Sequence, residues 1–128
     1  MGLFLDTSVV IDMLRGADFA SGLILREPLL ISPVTVHEVL FGMKPSEEQT
    51  TLELLEEGLV VATLGGAEGR ISGHWRREYA RRGVTLDVKD TLIAAAALTH
   101  DMPLATGNVK HFPMPELRVE QWPPPTPA

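Results

Sequence analysis

The chain has 128 residues, the length of one ordinary domain and too short for two. Its 45% hydrophobic and 22% charged residues are the balance of a globular chain and exclude a disordered or fibrous protein. The absence of cysteine excludes disulfide scaffolds, thiolate metal sites and thiol catalysis, and a net charge of −6 argues against coating nucleic acid through bulk positive charge, though not against cutting it.

Taken in chain order, short apolar runs alternate with helical patterns. Leu3–Leu5 reads as a strand, with a helix starting at Thr7-Ser8. Leu29–Ile31 is the next strand, and Ser32-Pro33 reads as an N-cap followed by proline at the first helical position, with Gly42 near that helix's end. Pro45 opens a helix over Ser46 to Glu57 that Gly58 closes. Leu59–Ala62 reads as a third strand, and Ala67 to Arg82 as a long helix ending at Gly83. Asp87 caps a helix from Val88 to His100, and Leu104–Ala105 and Leu117–Val119 complete the strands. Each strand is short and nearly continuous in apolar residues, as strands buried on both faces should be. The alternation predicts an α/β fold with a short, mainly parallel sheet. One domain is expected over residues 1–122, with a proline-rich, disordered tail over 123–128. The longest apolar run, Leu92–Leu98, falls far short of the roughly 20 residues of a membrane span. The N-terminus has no basic n-region, and Asp6 breaks its apolar stretch, so a signal peptide is not expected and a cytoplasmic protein without membrane association is.

A parallel sheet concentrates function at one edge, where strands end and helices begin. Asp6 directly follows the first strand, Glu38 lies in the helix after the second, Asp90 is in the first turn of its helix, and Thr106-Gly107-Asn108 follows the fourth strand. Three carboxylates in one cleft repel: two unit charges about 4 Å apart cost on the order of 4 kcal/mol at an effective dielectric of about 20. Protons or a divalent cation must relieve this. Oxygen ligands without cysteine favour Mg²⁺ or Mn²⁺ over zinc, which points to metal-dependent phosphodiester hydrolysis. Each acid has a plainer reading alone. Asp6 suits a turn or an N-cap, Glu38 a solvated helix face, and Asp87-x-x-Asp90 a capping box.

Four segments carry a resemblance. Leu5-Asp6-Thr7-Ser8-Val9-Val10-Ile11-Asp12, the stretch Ser32 to Gly42 around Glu38, Asp90-Thr91-Leu92-Ile93-Ala94-Ala95-Ala96-Ala97 and Leu104 to Phe112 resemble, in order and spacing, the motifs of PIN-domain proteins, and of VapC-type toxin ribonucleases in particular. The resemblance covers nearly the whole chain. It implies a PIN-like α/β/α fold, an endonuclease that cleaves RNA with Mg²⁺ or Mn²⁺, and a cognate VapB-type antitoxin in a toxin–antitoxin system; such proteins are often homodimers. By motif match, Asp6, Glu38 and Asp90 are the catalytic, metal-binding acids, with Thr106 and Asn108 as supporting polar groups. Asp6 and Asp90 would hold the metal directly, and Glu38 would ligate through water or orient the attacking one. Thr7 and Ser8 suit either phosphate donors or plain helix caps. Many PIN domains carry another acid where Asn108 and His111 stand here, so a one-metal mechanism and a non-catalytic PIN-fold module that binds RNA or protein both remain open.

Two further features stand out. Arg70, Arg76, Arg77, Arg81 and Arg82 share a helix whose only acid between them is Glu78, a local charge of +4 on a chain of −6; this reads as an RNA backbone path, a solvated face or an acid-pairing interface. Trp75 and Tyr79 share a helix face and read as core packing ahead of base stacking. His37, His74, His100 and His111 show no metal spacing and read as structural.

Overall fold

The computed structural model describes residues 2–125; residue 1 and the last tail residues, 126–128, lie outside the described residues. The elements follow in order as β1 (Leu3–Leu5), α1 (Thr7–Leu14), α2 (Ala20–Ile24), β2 (Leu29–Ile31), α3 (Pro33–Phe41), α4 (Glu48–Gly58), β3 (Val60–Val61), α5 (Gly66–Arg81), α6 (Val88–Thr99), β4 (Leu104–Thr106) and β5 (Val119–Gln121). The strands form one sheet in the order β3-β2-β1-β4-β5, and every neighbouring pair is parallel. Among the described residues no helix is long and apolar enough to cross a membrane.

Strand alternation sorts the core into two layers. Phe4, Leu30 and Leu104 face one side, where Trp75 and Tyr79 of α5 and Ile93 to Ala97 of α6 cover them. Leu3, Leu5, Leu29, Ile31 and Ala105 face the other, under Val9 and Val10 of α1, Leu23 of α2, Val39 of α3 and Leu55 of α4. The result is the expected α/β/α sandwich. The run Ala94–Ala97 is fully buried, because side chains this small let α6 lie close to the sheet and to α5. Ser72 of α5 and Thr91 of α6 share a buried hydroxyl contact of 2.7 Å between those helices.

The capping chemistry forms as the sequence implies. Ser32 Oγ accepts from the N–H of Val34 at 3.0 Å, and Asp87 Oδ1 accepts from the N–H groups of Lys89 and Asp90 at 2.8 and 3.2 Å. Gly83 follows α5 with φ +79, a left-handed conformation that glycine takes without a Cβ clash. Gly2 is required for a different reason: a Cβ there would sit 2.5 Å from the carbonyl oxygen of Pro28.

Four expectations are corrected. β3 is an edge strand, with Val60 and Val61 56% and 49% exposed, so it is not buried on both faces. The last strand is Val119–Gln121 and not Leu117–Val119, since Leu117 packs into the core from the preceding loop and Leu104 pairs with Val119. An apolar run marks burial, and burial does not require a ladder. Pro45 to Glu47 forms a 3-10 turn, and α4 proper starts at Glu48. The short α2 carries no strong sequence signal and is not among the expected helices. Its segment is held from outside: both terminal nitrogens of Arg26 bond the Glu120 carboxylate at 2.9 and 2.8 Å, and Trp122 lies against Phe19 with ring centroids 6.1 Å apart.

Trp122 is buried whereas Pro123, Pro124 and Pro125 are exposed. The indole therefore closes the core at the end of β5. Trp122→Ala is expected to cost about 3–5 kcal/mol of stability, the usual range for a buried aromatic truncated to alanine, and urea denaturation measures it.

Candidate active site

The parallel register fixes the first acid. Leu5 pairs with Ala105, so the next residues along, Asp6 just past β1 and Thr106 at the end of β4, meet at the sheet edge. Asp6 is at the N-cap position of α1, but its side chain caps nothing. Its Oδ2 instead accepts from Thr106 Oγ1 at 2.7 Å and from Ser8 Oγ at 3.0 Å. Each hydroxyl in turn accepts a backbone N–H from the loop after β4: Asn108 bonds Thr106 Oγ1 at 2.9 Å, and Gly107 bonds Ser8 Oγ at 3.2 Å. Two amides thus act on the Asp6 carboxylate through two hydroxyls, and its Oδ1 receives no bond from the described residues. With those partners a carboxylate only 4% exposed is tolerated.

Glu38 is held in the same manner from α3. Thr7 Oγ1 donates to Glu38 Oε1 at 2.8 Å and lies 3.0 Å from Thr35 Oγ1. A hydroxyl has one proton, so Thr7, having given it to Glu38, accepts from Thr35. The Thr7 and Ser8 hydroxyls are therefore turned onto the acids, and they orient Glu38 and Asp6 rather than cap the helix. Glu38 Oε2 stands 3.3 Å from Lys89 Nζ.

Asp90 projects from the first turn of α6 with its Oδ2 3.5 Å from His111 Nδ1. Its pKa is pushed up to about 6, first by burial and then by the negative charge of Asp6, with Asp87 and Glu38 adding to it and His111 opposing. The three acids from distant segments therefore share one electrostatic field. Hydrogen bonding to Glu38 holds the Lys89 ammonium above the usual lysine range.

Asp87 spends its side chain on the helix cap. Thr106 is fully buried and bonded to Asp6, while Asn108 contributes its backbone N–H. His111, which reads as structural from the sequence, stands in the site. Lys89 escapes a reading of the sequence alone, though its place next to Asp90 is a usable signal. Trp75 and Tyr79 are buried and so pack the core rather than stack on bases.

No three histidine or carboxylate side chains among the described residues are gathered tightly enough to hold a metal ion by direct contact alone. The donor set nevertheless suits a hard cation that keeps part of its water shell. All its donors are oxygen, Asp6 Oδ1 is left over, and Asp90 carries a negative surplus that the protein's own cations do not cancel.

The sequence pattern of the PIN domain matches residues 3–113. The chain belongs to the PIN domain family. Ribonuclease VapC19 of Mycobacterium tuberculosis is 34% identical over 120 residues, covering 89% of this chain and 95% of that protein. Ribonuclease VapC10 of the same organism is 35% identical over 116 residues, covering 88% of this chain and 86% of that protein. The crystal structure of VapBC2 from Rickettsia felis bound to a promoter DNA fragment matches with a TM-score of 0.83 at 24% identity, over 95% of this chain and 99% of that one. At that identity the likeness is one of fold.

The raised pKa of Asp90 has a consequence for stability. A carboxyl that holds its proton more tightly when folded favours the fold at low pH and opposes it once ionised. In metal-free buffer Asp90→Asn is expected to melt above the wild type at pH values over about 6, with the gap closing toward 3.8, the ordinary carboxyl value. Asp87→Asn is expected to melt near the wild type throughout, because asparagine caps helices about as well as aspartate. Thermal denaturation against pH separates the two acids.

Proposed function

We propose that this PIN domain is a VapC-type ribonuclease, the toxin of a toxin–antitoxin pair, and that it hydrolyses phosphodiester bonds in cytoplasmic RNA with Mg²⁺ or Mn²⁺ held by Asp6, Glu38 and Asp90. The observation that carries this reading is the shared field of three acids at one sheet edge, in which Asp90 is pushed up to about 6. Kinship with proteins named ribonuclease over most of both chains gives it its substrate class.

A divalent cation bound there would supply Lewis acidity toward a phosphate oxygen and make water a stronger nucleophile. The protein's own groups do the rest. Thr106 and Ser8 fix Asp6 through Oδ2, which leaves Oδ1 available to a ligand. Thr7 fixes Glu38, leaving Oε2 to orient or deprotonate a water. Asp90 supplies the third charge, and Lys89 and His111 stand where they can turn from the carboxylates to a phosphate. Purified protein, free of any inhibitor, is expected to cut RNA when Mg²⁺ or Mn²⁺ is supplied and to stop in EDTA. Asp90→Asn should be folded and inactive, with weakened Mn²⁺ binding by calorimetry. Unchanged cleavage in EDTA would falsify the metal mechanism.

The same reading includes a VapB-type antitoxin. A groove lined by Ile11, Leu14, Met43 and Leu54 leads to Glu38, which gives an amphipathic segment a route to the acids. An arginine at its end would pair with carboxylates through its planar fork. Co-expression with a cognate VapB-type antitoxin is expected to give a stable complex without RNA-cleaving activity. A complex that cuts RNA as fast as the free protein rules out blocking of the acids.

A further inference from the structure

The acid cleft has a second flank, separate from the groove at Glu38. A depression there joins Asp90 to Thr85, Leu86, Lys110, His111 and Pro113. The C-terminal half of α5 borders it through two contacts. Arg76 Nε donates to the carbonyl oxygen of Leu86 at 3.0 Å, and Tyr79 Oη donates to that of Pro113 at 3.3 Å. Over the Tyr79 ring lies the Arg82 guanidinium, 4.3 Å from the centroid. Stacking uses the face of a guanidinium and leaves its in-plane N–H donors for other partners. Arg76, Arg82 and Lys110 are all exposed. The acids nearby are engaged: Asp87 caps α6, and Glu78 faces Arg81 at 3.6 Å. A basic strip therefore begins beside Asp90 and runs outward on a chain whose net charge is −6.

We infer that this strip is the path of the RNA backbone. A single strand leaves the acid cleft at Asp90, crosses the depression beside Lys110 and His111, and lays its phosphates against Arg76 and Arg82. The inference rests on the ribonuclease reading and deepens it. A polyanion cannot approach three carboxylates head-on at low cost, so it must be held by cations to one side, and on this flank those cations are continuous with Asp90. Arg82 is pre-positioned by its ring and spends little side-chain freedom on a phosphate. Arg70, at the far end of α5 beside Leu98 and Glu116, lies off the strip.

The test is fluorescence anisotropy with a labelled, ribose-methylated single-stranded RNA, titrated at several salt concentrations. Lys110→Ala and Arg82→Ala are expected to weaken binding severalfold and to lower the slope of log affinity against log salt by about 0.7 for each phosphate no longer neutralised. Arg70→Ala should leave the slope as it is. Unchanged slopes in Lys110→Ala and Arg82→Ala overturn the path. So does a slope reduced in Arg15→Ala alone, which would place the strand in the groove at Glu38. A changed mass in light scattering with unaltered RNA binding would make the strip a protein interface instead, and again the path is wrong. Cleavage of unmodified RNA, followed in parallel, keeps the two readings apart: cleavage with unaltered slopes removes the path alone, whereas a wild type that neither binds nor cuts RNA removes the function with it.

Discussion

A buried negative charge at the end of the central strand is the constraint on which the functional edge depends. Removing a carboxylate from water costs several kcal/mol unless donors replace the water. Asp6 is 4% exposed, and its replacements come from Ser8, two residues on, and Thr106, 100 residues on. Both hydroxyls are themselves oriented by amides of the loop after β4. The first turn of α1, the end of β4 and that loop are thereby set in one geometry. The pairing of Leu5 with Ala105 brings them together in the first place, so strand register and site geometry are one fact.

The three acids are not equally provided for. Asp6 has two hydroxyl donors and Glu38 has Thr7 and the Lys89 ammonium, whereas among the described residues Asp90 has His111 at 3.5 Å as its one ion-pair partner, with Lys89 acting on it at longer range. Burial and the other carboxylates act on it without matching compensation, and its pKa rises to about 6. Under-satisfaction of this kind lowers the stability of the protein alone and raises its gain from an external cation. The same side chain is thus the one whose charge the fold tolerates least and the one an added positive charge would relieve most.

Much of this is legible in the sequence because it depends on position along the chain. The parallel sheet, read from alternating short strands and capped helices, brings Asp6, Glu38, Asp90 and Thr106 to one edge without any knowledge of contacts. What the sequence could not display were partnerships across it. Thr7 and Ser8 look like helix-capping residues, and only the fold shows their hydroxyls turned onto Glu38 and Asp6. His111 lacks ligand spacing because its partner, Asp90, comes from another element. Lys89 passes for an ordinary exposed lysine until α3 is placed beside α6. The strand errors have a similar origin. Leu117 and Val60 are both apolar, yet Leu117 packs into the core from a loop and Val60 lies on an exposed sheet edge, which only the folded arrangement decides.

The two flanks of the cleft differ in chemistry, and that difference bears on how such a site could be both used and blocked. The Glu38 side is a groove that sets Ile11, Leu14, Met43 and Leu54 among the polar Arg15, Thr50 and Thr51, suited to an amphipathic segment. The Asp90 side is an open basic strip, suited to a flexible polyanion that stays hydrated. A partner in the groove need not compete for the strip to stop the enzyme. If the site works through a bound cation, the partner needs only to deliver one positive charge to the acids, which would stand where that cation would. Inhibition of that kind at a shared centre would leave the two surfaces free to be tuned separately, one for the identity of a partner and the other for a substrate.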